Sequence, residues 1–237
     1  MEKIKARTIF ISGASSGIGY QTALLLSKME NVAVVAIARN SVKLEKLKAE
    51  SGDKILSLAF DLEEKNYNPI FDFLKVNNIT TLDGLIHNAG LLINKPFENI
   101  SLEDLNRSYH VNVFAPYLLT QALLPYLKNA PKAHVVNISS MGGVQGSMKF
   151  AGLSAYSSSK GALSLLTECL AVELEKDKIR VNCLALGSVQ TEMLNEAFPG
   201  FKAPLEPKEM GEYISWFILN GHHYYNGKIL PVAVTTP

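Results

Sequence analysis

Cysteine is nearly missing from this sequence: Cys169 and Cys183 are the only two in 237 residues. Both stand in apolar surroundings at no metal-ligand spacing. A disulfide framework and a cysteine-based metal centre are therefore excluded, and two buried free thiols of a reducing compartment are expected. An excess of charge is missing too. Lys plus Arg number 23 and Asp plus Glu 22, so nothing draws the chain toward nucleic acid or an anionic membrane. The one concentrated basic segment, 43–48, interleaves its lysines with Leu44, Glu45 and Leu47 and reads as a solvated helix face. No apolar run reaches membrane-spanning length. The charged start, 1–7, leads into an apolar run that stops at Gly13, which is unlike a secretory leader. A soluble cytoplasmic protein is expected. His222 and His223 are adjacent but lack partners at ligand spacing, so they read as a polar loop and no metal is expected.

What is present is a large apolar fraction, 47%, enough for a packed core. Short, nearly all-apolar runs recur at 8–12, 32–38, 55–60, 82–87, 133–139, 180–185 and 229–234. They do not alternate with polar residues, which suits strands covered by helices on both faces of a parallel sheet. Helix-like segments lie between them at 17–29, 42–49, 69–77, 101–127, 155–176 and 207–219. Ser101 and Asp104 form a fair capping pair, and Pro207 opens the last helix. This order predicts an α/β fold: a Rossmann-type doubly wound parallel sheet of about seven strands in a single domain, 1–237. No repeat, linker or low-complexity tract interrupts it. The longest irregular stretch, about 188–206, reads as a short substrate lid. Its Phe198 and Phe201 would either cover an apolar substrate or anchor the loop.

The first strand runs directly into Ser12-Gly13-Ala14-Ser15-Ser16-Gly17-Ile18-Gly19 and then into a helix. Glycines let the backbone turn sharply and approach a ligand, and the helix start offers free N–H groups to a pyrophosphate. Gly13, Ser15, Ser16, Gly17, Ile18 and Gly19 are the candidate cradle; the other reading is a glycine-rich turn with no ligand. At the end of the second strand, where an NAD site usually places an acid, stand Ala38 and Arg39. A guanidinium there suits a 2′-phosphate. NADP(H) is thus the favoured cofactor, with NAD(H) or mixed use as the alternative.

From here the chain resembles the short-chain dehydrogenase/reductases along nearly its whole length. The resemblance rests on the glycine segment followed in order by Asp61-Leu62, Asn88-Ala89-Gly90, Asn112, Asn137-Ile138-Ser139-Ser140, Tyr156 with Lys160, and Leu186-Gly187 with Thr191. It implies that Asp61 and Leu62 contact adenine and that Asn88, Ala89 and Gly90 steady the sheet beside the cofactor. It also implies that Gly187, Val189 and Thr191 lead the chain past the nicotinamide. Further implications are that Lys160 holds the nicotinamide ribose, that Asn112 holds a water linking the lysine to solvent, and that the chain forms a homodimer or homotetramer. Three features depart from the family pattern: Leu186 replaces a proline, His87 precedes Asn88 in place of an asparagine, and the usual Asp-Gly-Gly ending is lacking. His87 reads as a buried, hydrogen-bonded histidine. The altered ending puts the family's usual tetramer contacts at that end in doubt.

Tyr156 and Lys160 are four apart in a helical segment and share a face. A free phenol has a pKa near ~10, and an ammonium nearby would lower it toward the useful range. Tyr156 would then protonate the alkoxide formed by hydride attack on a carbonyl, and Ser140 would hydrogen-bond the substrate oxygen. Tyr224 and Lys228 match the same spacing, but Asn226-Gly227 between them signals a turn, so that match reads as chance. Asn112 lies in the long helix from 101, and Pro116 has no N–H for its carbonyl. A kink is expected there, serving either that carbonyl's water or packing alone. The implied function is hydride transfer between NADP(H) and a carbonyl or alcohol, with Asn112, Ser140, Tyr156 and Lys160 as catalytic candidates. The alternative is a non-catalytic redox sensor or scaffold of the same fold.

Overall fold

The computed structural model describes residues 6–64 and 66–234. The charged start through residue 5 and residues 235–237 of the atypical ending lie outside the described residues. Seven strands form one sheet: β1 (Arg7–Ser12), β2 (Val32–Ala38), β3 (Ile55–Ala59), β4 (Gly84–His87), β5 (Ala133–Ser140), β6 (Ile179–Leu186) and β7 (Ile229–Val232). Their order is β3-β2-β1-β4-β5-β6-β7, and every pairing is parallel. This is the Rossmann-type arrangement expected.

The absence of alternation in the strands follows from two cores rather than one. On one face Ile9, Ile11, Val34 and Ala36 pack with Leu24, Leu26, Ile214 and Phe217. On the other face Phe10, Val35 and Ile37 pack with Ile70, Leu74, Leu119 and Leu123. Successive residues of one strand point to opposite faces, so both parities must be apolar. The helices supplying these cores are α1 (Gly17–Ser27), α2 (Ser41–Glu50), α3 (Asn68–Val76), α5 (Ala115–Lys128), α6 (Ser154–Glu173) and α8 (Pro207–Asn220), joined by α4 (Leu102–Tyr109) and α7 (Glu192–Ala197). Asn40 caps α2 by accepting from Lys43 N at 2.9 Å. Ser101 and Asp104 form the expected reciprocal capping box on α4. No described helix is long and apolar enough to cross a membrane.

Three expectations need correction. The helix expected over 101–127 is broken by a π-helical turn, His110–Phe114. Pro116 cannot donate to Asn112, and Ala115 N–H reaches back five residues to His110 O. The missing bond is thus absorbed by a wider turn just before α5, whose first turn holds Pro116. The stretch at 188–206 is not irregular throughout: it holds α7, capped by Thr191 Oγ1 accepting from Leu194 N at 3.2 Å, and a bridge between Val189 and Leu205. Of the two thiols only Cys183 is buried; Cys169, on the outer side of α6, is exposed.

Candidate active site

The sheet order reverses between β1 and β4, so the chains leaving these strands diverge and open a crevice at their carboxyl ends, where ligands of such sheets bind. The crevice here is about 690 Å³. It brings together Gly13, Ser15, Ser16, Gly17, Ile18, Arg39, Asp61, Leu62, Asn88, Ala89, Gly90, Ser140, Tyr156, Lys160, Gly187, Val189 and Thr191. Gly19 and Asn112 stand behind its wall.

The cradle is built by close backbone approach. Gly13 and Gly17 hold φ of 71° and 56°, conformations that side chains disfavour. A Cβ on Gly13 would lie 2.6 Å from Ala89 Cα. Asn88 Nδ2 donates to Gly13 O at 3.0 Å, and Ala89 N donates to Ser12 Oγ at 3.3 Å. The 88–90 segment is thereby laced to the glycine turn. Ser16 caps α1 without a side-chain hydrogen bond, and no acid occupies the first turn of α1. Its N–H groups and positive dipole end are left to an anion. The cradle therefore fits a dinucleotide pyrophosphate.

At the end of the crevice beside β2, Arg39 and Asn40 are exposed, and Lys43 also lines the crevice. Lys43 Nζ pairs with Glu192 of α7 at 2.7 Å across the mouth. Reading 43–48 as a solvated helix face missed this second role: Lys43, in the first turn of α2, keeps its side chain partly in solvent and also lines the crevice. Arg107 was missed as well. It faces the crevice from α4, 3.9 Å from Glu63, and the sequence holds no pattern that singles it out. His110 Nε2 lies 3.3 Å from Leu62 O, tying the π-helical turn to the Asp61-Leu62 segment.

Ser140 ends β5 and Tyr156 opens α6, which places the two side by side. Ser140 Oγ accepts from Gly142 N at 3.1 Å and stands near enough to the Tyr156 phenol to favour its ionised form. Burial pushes the phenol up, and Ser140 pulls it partly back. Lys160 is 3% exposed; its Nζ donates to Ile138 O at 2.8 Å and lies 5.9 Å from the Tyr156 ring centroid. Burial lowers its pKa to about 8. The expected lowering of the phenol by the ammonium is thus corrected: desolvation dominates at both groups, because the ammonium is held by a carbonyl and not by the phenol.

Asn112 is fully buried at the π-helical turn. Its Oδ1 accepts from Leu91 N at 2.9 Å, and its Nδ2 donates to Leu91 O and to Ser159 Oγ, each at 2.9 Å. Ser159 Oγ in turn donates to Tyr156 O at 2.7 Å. Through these bonds Asn112 couples the segment after β4 to the first turn of α6. His87 is buried as expected, with Nε2 2.8 Å from Thr120 Oγ1. That hydroxyl donates to Pro116 O at 2.7 Å, which leaves His87 as the donor. Burial and the Lys160 charge lower the His87 pKa to about 3, so it stays neutral.

The second tyrosine–lysine match falls apart. Tyr224 is exposed, and Gly227 holds φ of 67° in the turn before Lys228. His222 and His223 have ring centroids 4.0 Å apart, yet among the described residues no His, Cys, Asp or Glu group could hold a metal ion.

The comparisons with known proteins agree with this geometry. Residues 7–200 match the profile of the family described as short chain dehydrogenase. The chain is similar to the cyclopentanol dehydrogenase of Comamonas testosteroni, 30% identical over 200 residues, 83% of this chain and 78% of that one. It is similar to the NADP-dependent 3-hydroxy acid dehydrogenase of Schizosaccharomyces pombe, 29% identical over 230 residues, 90% of this chain and 87% of that one. Among solved structures it is similar to a 3-ketoacyl-(acyl-carrier-protein) reductase from Brucella melitensis complexed with NADH. That match has 25% identity, a TM-score of 0.85 and 98% coverage of both chains.

Proposed function

The chain belongs to the short-chain dehydrogenase/reductase family, and from that premise we propose that it transfers a hydride between NADP(H) and a carbonyl or alcohol carbon with Tyr156 as the general acid/base. At the coarser level the chain is an oxidoreductase of this family, acting on alcohol or carbonyl substrates with a nicotinamide dinucleotide. What carries the finer reading is the convergence of Ser140, Tyr156 and Lys160 on one crevice whose other end is the glycine cradle.

When bound, the dinucleotide supplies or takes up the hydride. Gly13, Ser15, Ser16, Gly17 and Ile18 hold its pyrophosphate through the free N–H groups at the start of α1. Asp61 and Leu62 line the adenine end, while Asn88, Ala89, Gly90, Gly187, Val189 and Thr191 wall the nicotinamide end. Ser140 donates to the substrate oxygen as charge gathers on it. Tyr156 delivers its proton to that oxygen, or removes it in the reverse direction. Lys160 keeps a charge beside the phenol and faces Gly90, whose Cβ position lies 3.4 Å from Nζ. Asn112 acts by positioning Leu91 and the first turn of α6. Arg39, with no acid at Ala38, favours a 2′-phosphate; a relative named for NADP and a solved neighbour holding NADH leave the preference to measurement.

The test is a panel of aldehydes, ketones and alcohols assayed with both cofactors for the wild type and Tyr156→Phe. The variant should lose roughly 10²- to 10⁴-fold in kcat with cofactor Kd retained. An unchanged kcat refutes the role of Tyr156. Tight cofactor binding with no turnover by the wild type favours a non-catalytic sensor.

A further inference from the structure

The crevice does not end at the phenol. A second hollow of about 660 Å³ adjoins it across the shared side chains Phe150 and Leu153 and is walled further by Pro96, Phe97, Ala151 and Ser157. Tyr156 lines the crevice and Ser157, the next residue of α6, lines the outer groove. We infer that this outer groove holds the apolar tail of the substrate, and that the substrates are neutral carbonyl or alcohol compounds with an extended hydrocarbon portion. This inference rests on the hydride-transfer reading of the same site.

Two observations favour a neutral apolar occupant. The groove keeps large apolar side chains in water: Phe97 is 83% exposed and Phe150 49%. The Phe150 ring meets Phe198 edge-on, with ring centroids 6.5 Å apart. Side chains of this size gain most by covering hydrocarbon. The polar lining is the wrong kind for an anion. Among the described residues Lys149 is the one cation lining the groove, and its Nζ already donates to Val144 O at 2.7 Å, Ser147 O at 2.9 Å and Ser147 Oγ at 2.7 Å. Glu98 lines the groove and Glu196 lines the crevice beside it. Both would repel a carboxylate or phosphate tail. The groove shares Phe150 and Leu153 with the crevice, which favours a substrate tail reaching out from the site over a second copy of the chain or a lipid surface.

The experiment is a homologous series of straight-chain aldehydes from butanal to dodecanal, with the cofactor that the enzyme uses, for wild type and Phe97→Asp. A methylene half buried in the groove should raise kcat/KM about twofold and a fully buried one about fourfold. The series should therefore climb until the chain outgrows the groove. Phe97→Asp should flatten the outer part of the climb, and ω-carboxylated aldehydes of equal length should lose the gain. Phe97 is too exposed for the substitution to threaten folding. Turnover of butanal with a flat series overturns the inference while sparing the hydride-transfer reading. No turnover of any carbonyl in the broad panel overturns that reading itself. A climb untouched by Phe97→Asp also overturns the inference, and a simultaneous change in oligomeric state or vesicle binding would assign the groove to those partners.

Discussion

Lys160→Met should make the protein inactive and, near neutral pH, more stable. The ammonium is almost fully buried, and burial depresses its pKa from 10.5 to about 8, with only Cys183 acting in the opposite sense. A depression of that size corresponds to about 3 kcal/mol of penalty for the charged form. Methionine fills a similar volume without charge. The substitution also strips Ile138 O of its 2.8 Å partner, and a buried carbonyl left unpaired costs roughly 1–3 kcal/mol. The net gain near pH 7 is therefore about 1 kcal/mol, a rise in Tm of about 2–4 °C for a domain of this size. The pH dependence is the sharper test. Below pH 8 the lysine is protonated in both folded and unfolded states, and the full penalty stands. Between about 8 and 10.5 the folded protein has released the proton while the unfolded chain still binds it, so wild-type stability rises with pH. The methionine variant has no proton to release at this position. The stability difference measured by urea denaturation should thus move by about 3 kcal/mol in favour of the wild type across that window. Its sign should reverse, because only the wild type keeps the bond to Ile138. A difference that stays flat from pH 8 to 10.5 refutes the claim that desolvation sets the state of Lys160.

Other perturbations test other parts of the site. Arg39→Asp should weaken NADPH binding by about 10- to 100-fold, the worth of a charge-assisted contact to phosphate, and leave NADH within a few-fold; isothermal titration with both cofactors decides it, and equal losses for the two would remove the 2′-phosphate from the account. Gly13→Ala places a Cβ 2.6 Å from Ala89 Cα at a φ of 71°, so cofactor binding should be lost and stability should fall by roughly 1–3 kcal/mol; a variant with wild-type Kd would show that the turn has room to spare. Pro116→Ala restores an N–H four residues after Asn112 and should let the π-helical turn relax toward an α-helix. That would shift the pH profile of kcat with little change in Tm, whereas an unmoved profile would leave the turn a packing feature only.

Much of this was legible in the sequence because it depends on pattern. Parallel strands covered on both faces must be apolar at both parities, and 32–38 shows that without any structure. A glycine turn between a strand and a helix announces a cradle by position, and Ser101 with Asp104 announces a helix start. What escaped depends on distance and dielectric. The spacing of Tyr156 and Lys160 is right for a shared helix face, but spacing carries no information about what else competes for the ammonium. Ile138 O, eighteen residues before Tyr156 in the chain, is that competitor, and burial then outweighs the charge expected to tune the phenol. Pro116 predicted a local fault correctly, yet the fault could be resolved as a kink or as a wider turn. The choice was made by tertiary bonds from Asn112 to Leu91 and Ser159, which hold the π-helical turn against the first turn of α6. The exposed Cys169 and the crevice-lining Lys43 fail for one reason: each is a surface-type position in a helix, and which side of that helix meets an opening is fixed by neighbours far away in the chain. The outer groove is the extreme case. Its walls come from 96–98 and 149–157, joined by contacts such as Lys95 N donating to Gly152 O at 3.0 Å, so a substrate tail's path can be read only once the two segments have met.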